Sequence, residues 1–101
     1  MEFKVLNDAN EEILELRNQA FVVEKNVPKN IEFDGKDAEF MHFCLYDDGS
    51  LIGCARGNVN GRFLHVGRVA VKSHLRNKGY GKQLFVHIEQ YAKASKFLLL
   101  N

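Results

Sequence analysis

The chain has 101 residues, 46% hydrophobic and 27% charged, with a formal net charge of +1 at pH 7. Such a length allows one domain at most, residues 1–101, and the composition argues against a disordered chain. The basic excess of a nucleic-acid binder is absent, and no apolar run approaches the roughly 20 residues that cross a bilayer.

The opening Met1-Glu2-Phe3-Lys4 lacks the layout of a signal peptide. The expected address is the cytoplasm, with neither nucleic acid nor membrane as partner. Phe3 to Leu6 alternates as a short first strand. Asp8, with Glu11 three residues on, predicts the cap of a helix over Ala9 to Val23. Its apolar stripe runs through Ile13, Leu16, Ala20 and Val23, and Arg17 falls near the centre of that stripe. Two explanations are open. Either the stem lies on the core with its head in solvent, or a carboxylate of the next loop, Glu32 or Asp34, fixes it. Glu24 to Glu39 holds the single proline, Pro28, and a run of mixed charge without a clean period. It predicts a long loop with at most one helical turn. The run is either solvated surface or a substrate-facing loop in which Glu32 or Asp34 meets an amine.

Phe40 to Tyr46 and Leu51 to Asn58 read as strands joined by an Asp48-Gly49 turn. Asn60-Gly61 marks a second hairpin, leading into a third strand from Phe63 to Val71. If Tyr46 faces Leu51, then Cys44 faces Gly53 and Cys54 faces Phe43. The two thiols would then point to opposite faces, with no disulfide, as suits a reducing compartment. Without a C-x-x-C spacing, no metal site is expected.

The stretch from Val66 to Tyr91 organises the rest. It combines the end of a strand, a basic turn from Lys72 to Gly81, and a helix from Lys82 to Lys93. Leu84, Phe85, Ile88 and Tyr91 are its core stripe. Lys96 to Leu100, with the apolar run Phe97-Leu98-Leu99-Leu100, is a last strand. The fold class is therefore α/β (α+β), a mixed, mostly antiparallel sheet in the order β-α-β-β-β-α-β. A right-handed β-α-β crossover makes the last strand parallel to Phe63–Val71. Nothing in the sequence covers its outer edge. The expectation is a fragment of a longer domain, or an edge, Phe97–Leu100, that pairs with a second copy or another partner.

Arg68, Lys72, Arg76, Lys78 and Lys82 concentrate positive charge around Gly79 and Gly81. Free N–H groups at a helix start, beside such charge, suit a phosphate or pyrophosphate. The dinucleotide fingerprint fails because Leu84 stands where its third glycine belongs. The P-loop fails because Arg76 replaces its first glycine and Gln83 its final Ser or Thr. What fits is R-x-x-G-x-G, at Arg76, Gly79 and Gly81, after a strand ending R-V-A-V.

In this strand–turn–helix setting the pattern resembles motif A of the GNAT-type N-acetyltransferases, and the likeness extends to the order of elements. L-R-N-Q-A-F-V-V-E-K-N-V-P and G-R-V-A-V are similar to the ElaA-like branch. The resemblance implies an N-acetyltransferase, with acetyl-CoA as acyl donor and an amine as acceptor. It implies that the edge at Val69, Ala70 and Val71 pairs with the pantetheine arm. Arg76, Asn77, Lys78, Gly79, Tyr80, Gly81 and Lys82 would hold the phosphates, and Asn101 would lie at the edge of the split between strands. Tyr80 also reads as a packing residue, and Gly81 as a permit for close helix–strand packing. The backbone N–H of Val69 is the implied oxyanion donor. His65, four residues before Val69 and on the same face by period two, is a candidate general base, with Glu32 and Asp34 as competitors and Arg68 on the opposite face. The family's complete domain continues with a helix, which commonly carries a tyrosine for the leaving thiolate, and two strands. These 101 residues therefore read as its N-terminal portion. The alternative is a non-catalytic CoA-binding or protein-interaction module.

Overall fold

Two tight turns set the sheet. Asp48 and Gly49 take φ of 52° and 79°, folding β2 (Met41–Asp47) back onto β3 (Ser50–Asn60) with a turn that suits the strand twist. Gly61, at φ 63°, turns β3 into β4 (Phe63–Val71). The computed structural model, which describes residues 1–100, adds β1 (Glu2–Leu6) beside β2 and β5 (Leu98–Leu100) beside β4. The sheet order is β1-β2-β3-β4-β5. Its first three junctions are antiparallel and the last is parallel. The mixed, mostly antiparallel sheet expected from the element order is thus the observed one. Asn101 lies outside the described residues.

Helices cover both faces. On one face Ile13, Leu16 and Ala20 pack with Cys44, Tyr46, Leu51, Cys54 and Ala70. On the other, α3 (Tyr80–Ala94) brings Leu84, Ile88 and Ala92 against Phe43, Leu45, Ile52, Ala55, Leu64 and Val66. Among the described residues no helix is long and apolar enough to cross a membrane.

The first helix departs from expectation at both ends. α1 spans Glu11–Arg17, and its cap is Asn10, whose side chain accepts the Ile13 N–H at 3.0 Å. Asp8 instead accepts the N–H of its neighbour Ala9 at 2.8 Å. From Asn18 to Val23 the helix widens into a π-helical turn, closed by Glu24 N–H to Gln19 O at 3.1 Å. A wider turn advances each residue through a smaller angle, so the apolar stripe drifts. Val23, expected in the stripe, is accordingly 56% exposed. The loop that follows carries α2 (Lys29–Glu32) and one 3₁₀ turn (Asp37–Glu39).

At the far end, β5 begins two residues later than its apolar pattern predicts. Lys96 takes φ 60°, and the Phe97 N–H returns to Ala92 O at 2.8 Å, wrapping the end of α3. Leu98 and Leu100 remain 50% and 43% exposed.

The cysteines are a correction. Tyr46 does face Leu51, but the register slips by one residue at Ile52, so Leu45 pairs with Gly53 and Cys44 pairs directly with Cys54. A one-residue bulge flips every later side chain to the other face. Both thiols therefore point into the α1-side core, buried and free. Burial pushes the Cys44 thiol up to about 11 and the Cys54 thiol up to about 12. Thiolate is the reactive form. A disulfide-exchange reagent such as DTNB at about pH 8 should label neither cysteine in the folded chain and both in guanidinium chloride. Rapid labelling without denaturant would contradict the buried pair.

Candidate functional site

The turn after β4 is built to expose backbone donors. Ser73–Leu75 forms a single 3₁₀ turn, with Leu75 N–H bonded to Lys72 O at 2.9 Å. Asn77 and Gly79 then take φ of 61° and 85°, a conformation in which successive N–H groups converge. Gly79 is the cap of α3 and offers no side chain to it. The first intrahelical bond is Gln83 N–H to Gly79 O at 3.0 Å. The N–H groups of Tyr80, Gly81 and Lys82 thus precede the helical ladder, at the positive end of a fifteen-residue helix.

These groups border a cleft of about 310 Å³ lined by Val69, Val71, Leu75, Arg76, Asn77, Gly79, Tyr80 and Gly81. All but Leu75 are residues the sequence singles out. Lys82 borders an adjoining hollow with Gly79, Lys78 is exposed, and Ala70 is buried in the α1-side core. Tyr80 also packs on the α3-side core. A Cβ built on Gly79 would meet nothing within 4 Å, and one on Gly81 only Val71 Cγ2 at 3.7 Å, an ordinary contact. Close helix–strand packing therefore does not account for Gly81.

Arg76 is already engaged. Its Nε donates to Val71 O at 3.0 Å, and Nη1 and Nη2 donate to Glu24 Oε2 and Oε1 at 2.6 and 2.9 Å. These hydrogen bonds hold the Glu24 carboxyl below its ordinary range.

A bulge in β4 bounds the cleft. Cys54 faces Ala70 and Arg56 faces Gly67, so Arg68 and Val69 together oppose Ala55. Arg68 sits at φ 48°. Before the bulge, Phe63–His65 pair with Leu98–Leu100; after it, Val69 and Val71 line the cleft. Period two fails across a bulge. Arg68, expected on the face opposite His65, instead borders the same hollow of about 240 Å³, along with Phe40, Arg56 and Asn58. Val69, expected on the face of His65, packs with Leu64 and Val66 on the α3-side core, the face opposite His65. His65 itself is exposed, opposite Asn58 on β3 and Leu100 on β5.

The loop between α1 and β2 is pinned beside this hollow by three arginines. Arg17, 1% exposed, donates Nε to Glu32 Oε2 at 2.7 Å, Nη1 to Asp37 Oδ1 at 2.8 Å and Nη2 to Glu32 O at 2.9 Å. Arg56 lies 3.9 Å from the centre of the Phe40 ring and donates to both Asp34 oxygens and to Asp37, each at 3.1 Å. Arg68 reaches Ile31 O at 2.9 Å and Glu32 Oε2 at 3.2 Å. His42 Nε2 lies 2.8 Å from Asp37 O, which makes Nε2 the protonated nitrogen. Of the two explanations for Arg17, the loop carboxylate is the observed one. Burial pulls the Arg17 pKa down, but the bonds to Glu32 and Asp37 outweigh it and leave the pKa raised. For Asp34, burial pulls upward, and the Lys36 N–H and Arg56 outweigh it and leave the pKa lowered.

Glu32 and Asp34 thus do meet cationic groups, but those of the chain itself. Sequence reasoning missed Arg56, Asp37, His42 and Glu24. A charged residue at position 56, inside the otherwise apolar L-I-G-C-A-R-G, was the available signal for the first.

The acetyltransferase (GNAT) family model matches residues 10–100. The N-acetyltransferase YjcF of Bacillus subtilis strain 168, itself uncharacterised, is 31% identical over 87 residues. That match covers 83% of this chain, which spans 62% of the length of YjcF. An acyl-CoA N-acyltransferase from Pseudomonas aeruginosa superposes with a TM-score of 0.75 at 28% identity, over 92% of this chain and 70% of its own. Escherichia coli ElaA gives 0.76 at 26% identity, again over 92% and 70%. With the strand–turn–helix cleft, the β4 bulge and these likenesses together, the chain belongs to the GNAT family of acetyltransferases.

Proposed function

We propose that the chain binds acetyl-CoA in the cleft between Val69 and Lys82 and serves acetyl transfer from the thioester to an amine. The observation that carries this reading is the convergence of Val69, Val71, Arg76, Asn77, Gly79, Tyr80 and Gly81 on one cleft ending at the uncapped start of α3. The N–H groups from Asn77 to Lys82 would take the pyrophosphate, and the open space over Gly79 and Gly81 admits it. Val69 and Val71 would pair with the amides of the pantetheine arm, as an added strand pairs with a sheet edge.

In the reaction, the neutral amine attacks the thioester carbonyl carbon, the N–C bond forms and the C–S bond breaks. The Val69 N–H, in the bulged stretch of β4, would stabilise the oxyanion. His65 takes the proton that the amine gives up, and the departing thiolate takes a proton from solvent to leave as free CoA. His65 is the base in this reading because it is exposed on the hollow that Arg68 also lines, whereas Asp34 gives both oxygens to Arg56 and the buried Glu32 is tied through Oε2 to Arg17 and Arg68.

Calorimetry with acetyl-CoA tests binding, and CoA release in the presence of an amine panel tests transfer. His65→Ala should slow release by about 10²-fold while leaving the acetyl-CoA Kd within about twofold. Unchanged turnover in that variant would remove His65 from the mechanism. Binding without release at any amine would support the non-catalytic alternative.

A further inference from the structure

The arginine of R-x-x-G-x-G does not reach into the cleft with its head. Arg76 borders two cavities: the cleft beside Val69 and Gly81, and a hollow of about 430 Å³ along α1. Glu24 lines only the second of these. Since both Glu24 oxygens receive the two terminal guanidinium nitrogens, the charged head lies toward the α1 side and its stem walls the cleft.

The turn is anchored at its ends, by Lys72 N–H on Ile52 O at 3.0 Å and by Leu75 and Tyr80 on the α3-side core, but its middle is sparsely bonded. Arg76 N–H to Ser73 O is long, at 3.4 Å, and among the described residues the N–H groups of Asn77, Lys78 and Gly79 have no backbone acceptor. Those are the donors assigned to the phosphates. Arg76 ties this stretch at two points: Nε to the carbonyl of Val71, the last residue of β4, and the fork to Glu24, the residue that closes the π-helical turn. A bidentate arginine–carboxylate pair fixes orientation as well as distance.

We infer that Glu24 is a positioning residue for the cofactor cradle: through Arg76 it fixes the turn whose backbone N–H groups receive the phosphates. This rests on the acetyl-CoA reading above. It assigns Arg76 a different task from direct phosphate neutralisation, and the two tasks predict opposite signs for loss of Glu24. If Glu24 positions the turn, its removal weakens binding. If Arg76 is a phosphate ligand, removing a competing carboxylate frees the guanidinium and tightens binding.

The experiment is calorimetric titration of acetyl-CoA into the full chain, for wild type, Glu24→Ala, Arg76→Ala and the double variant, at low and moderate ionic strength. Glu24→Ala should weaken binding by about three- to tenfold, with the thermal midpoint nearly unchanged because the pair is a partly exposed one. The loss should vanish in the Arg76→Ala background, since both residues act through one contact. The ionic-strength dependence should match wild type in both single variants, because no phosphate contact is removed. Glu24→Gln, which keeps the shape and one acceptor, should fall between wild type and alanine.

Equal or tighter binding by Glu24→Ala would overturn the inference, as would a flattened salt dependence in Arg76→Ala alone. A loss matched by a proportionate fall in thermal midpoint would also overturn it, in favour of a general structural role. Failure of the wild-type chain to bind acetyl-CoA is a distinct result, and overturns the underlying reading as well.

Discussion

Replacing Arg17 with alanine is expected to destabilise the chain by about 3–5 kcal/mol, since breaking a buried ion pair leaves its partners uncompensated. Arg17 is 1% exposed and the Glu32 side chain 4%, so neither can turn to water when the other is lost. Truncation removes the bonds to Glu32 Oε2, Glu32 O and Asp37 Oδ1 at once. Arg56 and Arg68 remain to share the carboxylates, which keeps the cost toward the middle of that range rather than above it. Against a total of about 5–15 kcal/mol for a domain of this size, the loss is a large fraction. It should appear in urea denaturation followed by far-UV circular dichroism as a fall in midpoint with an unchanged slope. Arg17→Lys should not rescue it, because one ammonium cannot reproduce a fork that donates in three directions. A loss under about 1 kcal/mol for Arg17→Ala would show that the network is not a stabilising anchor.

The same network shows why the loop was hard to read. Glu32, Asp34 and Asp37 lie among enough other charges that the run from Glu24 to Glu39 resembles a solvated surface. The informative residues lay elsewhere, as arginines interrupting apolar patterns: Arg17 in a helical stripe and Arg56 in a strand. A charge where the period calls for an apolar side chain needs a partner, and a loop of carboxylates was the nearest supply. The turns were legible because Asp48-Gly49 and Gly61 favour backbone conformations that few residues adopt, although Asn60 itself closes β3 and the second turn is Gly61-Arg62. The bulges were not. From Leu51 to Ala55 the strand is apolar or glycine on both faces, so a one-residue slip at Ile52 leaves no trace in the hydrophobic pattern, yet it moves Cys54 onto the face of Cys44. The slip at Arg68 is equally silent, and it alone puts Arg68 beside His65. The cleft was legible because its chemistry is carried by backbone, which needs glycine at fixed positions. The destination of Arg76's charge was not, since nothing near Glu24 in sequence points to a residue 52 positions away.

Gly81→Ala is expected to separate ligand binding from folding. Gly81 is the second residue of α3, where alanine is favoured over glycine by up to about 1 kcal/mol. The added Cβ would meet only Val71 Cγ2 at 3.7 Å, so packing places no cost against that gain. Thermal stability should therefore stay level or rise. Acetyl-CoA affinity should fall by at least about tenfold, because the methyl group would stand where the backbone must approach a pyrophosphate closely. Gly79→Ala is a weaker probe of the same idea. Its φ of 85° strains any other residue, so lost binding there would mix with a distorted helix start. The opposite signs at Gly81 are what make it decisive. A variant that is less stable would mean the glycine serves the packing of α3 on β4 after all. One that is equally stable and binds acetyl-CoA as tightly as wild type would show that the phosphates do not rest on the start of α3.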